Sequence, residues 1–208
     1  MKKHNKISTE RIFPKKIRRM KMYQYSSELI KGLNEDISQF PNVFPIEEGM
    51  EKTLTGVSRL VMLDRYTQKD MSKKTLKVGD LVVVTIKDDP KFPATGTGYI
   101  RKIDGQKAHI ELDEEYADNV SKDELVDGNI VRSFNDFEKP LELYYEQISK
   151  RNSKHLAGNE ENHKEWADKF YHELSEQNFV PAGRVLYGAG SGAEVTYFNC
   201  YVMPFVQE

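Results

Sequence analysis

Apolar and polar positions change rhythm along this chain, and the changes divide it. Leu81-Val-Val-Val-Thr-Ile86 and Gly98-Tyr-Ile-Arg-Lys-Ile103 are β-branched runs, and Ala108-His-Ile-Glu-Leu112 alternates with period two. Such runs suit the pleated backbone, so Leu76 to Glu115 predicts three strands in a small sheet. Asp104-Gly105 is a hairpin-turn signal between the second and third. Lys77-Val-Gly-Asp80 resembles the opening of small SH3-like barrels, and His109 is expected to face outward with Glu111. Asp88, Asp89, Pro90 and Pro93 form a connecting loop, read as a solvated turn in preference to a cation site.

From Asp136 the rhythm becomes helical. Leu141, Tyr144, Tyr145 and Ile148 recur at i, i+3, i+4 and i+7, behind a cap at Asn135 or Asp136 and with Pro140 in the first turn. Gly158-Asn159 interrupts, and a second helix from about Glu160 to Gln177 carries Trp166, Phe170 and Leu174 on one stripe. An antiparallel pair follows, with Tyr144, Tyr145 and Trp166 as core residues rather than a radical-transfer path. Upstream, Tyr23 to Leu33 predicts a short helix. Pro41, Pro45 and Gly49 punctuate the next stretch, and Val57 to Tyr66 fits neither period. At the far end, Gly188, Gly190 and Gly192 lead into Val195, Tyr197, Asn199-Cys200 and Val202, which reads as an apolar strand holding a thiol.

Charge adds one segment. Met1 to Lys21 holds nine lysines and arginines against Glu10 alone, and reads as a solvated arm, with phosphate or nucleic-acid contact as its functional alternative. The whole chain carries a net charge of -2, which gives no overall bias toward nucleic acid. A single cysteine excludes an internal disulfide. With no signal-peptide pattern and no apolar window near the roughly 20 residues of a membrane span, a cytoplasmic protein without membrane contact is expected. The five histidines and one cysteine have no zinc-type spacing. Gly188-Ala-Gly-Ser-Gly192 is not a dinucleotide fingerprint, since too little sequence follows for a βαβ unit.

Pro181-Ala-Gly-Arg184, Gly188-Ala-Gly190 and Asn199-Cys200 resemble the segment of adenosylcobalamin-dependent (class II) ribonucleotide reductases that contributes the first cysteine of the reducing pair. Leu54-Thr-Gly-Val-Ser-Arg-Leu-Val-Met-Leu-Asp-Arg-Tyr66 and Asp88-Asp-Pro-Lys-Phe-Pro93 are similar to the amino-terminal region of one branch of that family. The resemblance runs from about Phe44 onward. It implies that Cys200 is a reducing thiol, that Asn199 offers a hydrogen bond to the sugar, and that Gly183 and Ser191 contact the ribonucleotide substrate near its phosphates. It also implies that the other active-site cysteines and the adenosylcobalamin site lie in sequence following Glu208, and that a thioredoxin-type reductant restores the thiols.

The expected chain is α+β: a basic, largely irregular arm (1–50), a small β-rich domain with an SH3-like barrel (51–135), a helical pair (136–180), and the first strand of a truncated ten-stranded α/β reductase barrel (181–208). Its expected function is the amino-terminal portion of a reductase making deoxyribonucleotides, inactive without the remaining catalytic polypeptide. The alternative is a non-catalytic nucleic-acid or protein binding module on the small barrel. That reading lacks an aromatic stacking face among basic strand residues, beyond Tyr99 and Arg101.

Overall fold

The computed structural model describes residues 23–197. The basic segment before Tyr23, and Asn199 and Cys200 beyond Tyr197, lie outside the described residues. Helix α1 (Ser27–Ile37) starts at Ser26, whose Oγ accepts a hydrogen bond from the Leu29 amide and so satisfies one exposed donor of the first turn. Helix α2 (Gly56–Val61) runs without a break into a π-helical turn over Met62–Tyr66.

Six strands follow: β1 (Leu81–Lys87), β2 (Ala94–Asp104), β3 (Lys107–Leu112), β4 (Leu125–Val126), β5 (Asn129–Ser133) and β6 (Phe137–Glu138). They form one antiparallel sheet in the order β4-β5-β3-β2-β1-β6. The three predicted strands are β1 to β3, and Gly105 turns the hairpin between Asp104 and Lys107 at φ 59°, a conformation glycine adopts without strain. His109 is half-buried and Glu111 exposed. Between β1 and β2, Asp89 Oδ1 accepts from the Lys91 and Phe92 amides, as a solvated turn requires. A short helix, α3 (Glu114–Ala117), follows β3.

Strand β1 is buried on both faces, which explains its unbroken apolar run. Val82 and Val84 join Ile100, Ile110, Ile130 and Phe137 inside the sheet, whereas Leu81 and Val83 face a second core of Leu33, Ile37, Met62, Leu63 and Ile148. Residues 129–138 serve two edges: β5 pairs with β3, and β6 pairs with β1. Between them, Asp136 O accepts from the Thr85 amide, and Arg132 donates to the carbonyls of Thr85 (2.9 Å) and Ile86 (2.6 Å).

The helical pair consists of α4 (Tyr145–Leu156) and α5 (His163–Ser175), with a 3-10 turn over Ala157–Asn159 between them. Helix α4 begins at Tyr145, later than the cap at Asn135 or Asp136 predicts. Residues 139–144 are instead non-helical: Lys69 and Pro140 form an isolated β-bridge, and the Leu141 amide donates to Gln68 O. Leu141 and Tyr144 are thus buried without being helical. Lys52 fixes the antiparallel arrangement. Its amide donates to Glu146 in the first turn of α4, and its ammonium donates to Ser175 O at the end of α5. The Trp166, Phe170, Leu174 stripe is buried only at its end, with Leu174 at 4% and Trp166 at 38% exposure.

Candidate functional site

The residues approaching Cys200 are held by α4. Helix α6 (Gly183–Gly188) begins directly after Pro181-Ala182, so Gly183 is its first helical residue. A Cβ there would lie 2.8 Å from Tyr66 Cε1, and this close approach to an aromatic ring gives glycine a packing reason. The loop after α6 needs left-handed backbone at Gly190 (φ 73°) and Gly192 (φ 80°). Residues 194–197 are not strand, and the remainder of the expected strand lies outside the described residues.

Arg151 anchors this segment. Its side chain is 1% exposed and faces Glu142, which is wholly buried, with Nε donating to Oε1 at 2.7 Å and Nη2 to Oε2 at 3.0 Å. The remaining guanidinium protons go to four carbonyls: Tyr66 (3.2 Å), Leu186 (3.1 Å), Tyr187 (3.2 Å) and Ala189 (2.6 Å). Asn152 donates to Leu186 O and the Gln68 side chain to Tyr187 O. These acceptors include carbonyls at the C-terminal end of α6, where a helix runs out of internal donors and carries partial negative charge. One buried cation therefore caps α6 and fixes the start of the glycine loop.

Ser191 is engaged within that loop. Its Oγ donates to Gly188 O at 2.9 Å and accepts from the Ala193 amide at 3.1 Å, while its carbonyl accepts from Asn42 Nδ2 at 3.2 Å. A cavity of about 150 Å3 lies beside it, lined by Asn42, Arg151, Lys154, His155 and Gly190 among others. His155 Nε2 lies 3.1 Å from the hydroxyl of Tyr197, three residues before Cys200. Gly183 and Ser191 thus flank α6 and its loop, and of the four residues singled out for substrate chemistry only these two are among those described.

Glu142 and Arg151 were missed because charged residues read as surface, yet a signal existed. Continuing the Tyr144, Tyr145, Ile148 stripe by three or four residues lands on Arg151 and Asn152, where the period calls for apolar side chains.

The perturbed titrating groups gather elsewhere. Arg59, wholly buried on α2, donates to Tyr25 OH (3.2 Å), Thr97 Oγ1 (3.0 Å) and Asp113 Oδ2 (3.1 Å), with its carbon 3.5 Å from the Tyr23 ring centroid. Burial pushes the Tyr25 phenol up to about 12 against the pull of Arg59, and pushes the phenols of Tyr23, Tyr99 and Tyr116 up as well. A network fastening α2 to the sheet accounts for these shifts without catalysis. Among the described residues, no group of three or more His, Cys, Asp or Glu side chains could hold a metal ion, and no helix is long and apolar enough to cross a membrane.

Residues 130–194 match the family model described as ribonucleotide reductase, all-alpha domain. The match spans β5, the helical pair, α6 and the glycine loop, and it supports a ribonucleotide reductase, an oxidoreductase of deoxyribonucleotide synthesis. No curated protein and no solved structure matches the chain.

Proposed function

We propose that this chain supplies the amino-terminal portion of a ribonucleotide reductase and that Cys200 is one of its two reducing thiols. The observation that carries this reading is the position of the anchored segment: α6 and the glycine loop, clamped by Arg151, fall inside the matched region and lead directly toward Asn199-Cys200.

The net reaction sets what the chain can contribute. Breaking the ribose C2′–OH bond and forming C2′–H releases water and takes two electrons, which two thiols provide by becoming a disulfide. This sequence has one cysteine, so the second thiol belongs to sequence beyond these 208 residues, on the same or another polypeptide. In this reading Cys200 gives one thiol, Asn199 hydrogen-bonds the sugar, and Gly183 and Ser191 lie toward the substrate. The Ser191 hydroxyl and amide both donate to Gly188 O and its carbonyl accepts from Asn42, so a substrate contact there would replace one of these bonds. A thioredoxin-type dithiol resets the pair.

Adenosylcobalamin, which would initiate radical chemistry when bound, belongs on the remaining catalytic polypeptide in this proposal. The described residues do not fit it: the cavities beside the helices, of about 150 to 560 Å3, are small for a corrin with its nucleotide loop and adenosyl group.

Mixing the chain with a polypeptide carrying the remaining reductase sequence, adenosylcobalamin and a dithiol tests the proposal by deoxynucleotide formation. Activity requiring both chains and abolished by Cys200→Ser is the expected result. Full activity in the serine variant would remove Cys200 from the reducing pair.

A further inference from the structure

A cavity of about 560 Å3 opens between α4 and α5 and is closed on its third side by the stretch carrying Phe44 and Glu47. It is distinct from the cavity beside Gly190, although Phe44 and Lys154 line both. Its volume is that of a small-molecule site. Two half-buried aromatic side chains, Phe44 and Tyr171, give it flat apolar surface.

The charges of the lining do not cancel. Lys150, Lys154 and Lys164 stand against Glu47 and Asp168, leaving one positive charge in excess. Lys150 is already paired with Glu47, whereas among the described residues no carboxylate lies within ion-pair distance of Lys154 or Lys164. Lys154 Nζ instead sits 5.2 Å from the Phe44 ring centroid, where the ring's negative face holds an ammonium group without neutralising it. Across the cavity, His163 Nδ1 is 3.2 Å from Ala157 O. A carbonyl can only accept, so this contact places a proton on Nδ1.

We propose that this cavity binds a small anion carrying a flat ring, with the ring against Phe44 and Tyr171 and the anionic group met by Lys154 and Lys164. Neither part suffices alone: a bare anion leaves the half-buried Tyr171 ring uncovered, and a neutral ring leaves Lys154 and Lys164 without a counter-charge. The assignment does not depend on Cys200 or on reductase activity.

Calorimetric titration of the full chain with adenosine 5′-monophosphate, adenosine and inorganic phosphate separates the components. The monophosphate should bind with a Kd of about 1 mM or tighter, roughly tenfold or more tighter than adenosine or phosphate. The Lys154→Ala, Lys164→Ala double variant should lose that advantage. Both lysines are exposed, so the fold should tolerate their loss. Raising salt should weaken the monophosphate and leave adenosine unchanged. Monophosphate binding no tighter than phosphate, or unaffected by the double variant, overturns the proposal.

Discussion

Arg151 and Glu142 form a two-point ion pair in which neither side chain reaches solvent, and the same guanidinium holds the carbonyls of Leu186, Tyr187 and Ala189. Removing one partner strands the other's charge in the interior. Arg151→Met should therefore cost about 3–5 kcal/mol in urea unfolding. Because the lost donors also release α6, limited proteolysis should cut between residues 183 and 197 in this variant before elsewhere. Glu142→Gln keeps an acceptor and should cost less.

Alkaline pH should unfold the protein through its buried phenols. Tyr25 titrates near 10 when unfolded and at about 12 when folded. Between those values the folded chain keeps a proton that the unfolded chain has released, so stability is fully present below about pH 10 and declines as pH rises toward about 12. Tyr25→Phe should flatten the pH dependence of the unfolding free energy, measured by urea titration, by up to about 1.4 kcal/mol per pH unit in that window. An unchanged slope would place the titration elsewhere.

Lys139 is 1% exposed and donates to Asp36 Oδ2 at 2.7 Å, Asp80 Oδ2 at 2.8 Å and Thr75 O at 2.9 Å. Lys139→Met leaves the buried Asp80 carboxylate without its ammonium partner, while Asp36 keeps Lys77 at 2.8 Å, a loss of about 3–5 kcal/mol at neutral pH. Burial already pushes the Asp80 carboxyl upward, and without the ammonium it should rise further. The folded variant then binds a proton the unfolded chain lacks, so its deficit should shrink as pH falls. A deficit independent of pH would count against this.

Two glycines before Cys200 should resist substitution for different reasons. Gly190→Ala puts a side chain at φ 73° and 2.9 Å from Arg151 Cγ, with an expected cost of about 1–3 kcal/mol. Gly183→Ala meets the Tyr66 side chain first, at 2.8 Å, so Tyr66→Leu should relieve it. A double-variant cycle should show coupling at Gly183 with Tyr66 and none at Gly190 with Tyr66.

Legibility followed the physics of each element. Strands β1 to β3 were readable because β-branched runs with a glycine turn have few alternative structures. The short strands β4 and β6, and the mixed Asn129–Ser133 of β5, carry too little pattern and owe their form to the edges they cover. The start of α4 was misplaced because Leu141 and Tyr144 are as buried as helical period demands, but on a non-helical segment docked beside Gln68 and Lys69. Residues 57–66 gave no period because Arg59, at the centre of that helix, is buried with hydrogen-bond partners that sequence does not reveal. Arg59, Lys139 and Arg151 share this property. The fastenings of the fold are charges, and burial of a charge depends on partners as far as 103 residues away, as Asp36 is from Lys139.

The stretch from Asn129 to Glu138 has a consequence for inheritance. The family match begins inside β5, so the matched segment carries β5 and β6 together with the helices. Exchanging the sheet for that of another protein would leave β5 and β6 behind, and β1 and β3 would each lose a native neighbour. Recombination can separate the sheet from the helices only by rebuilding both of those edges at once.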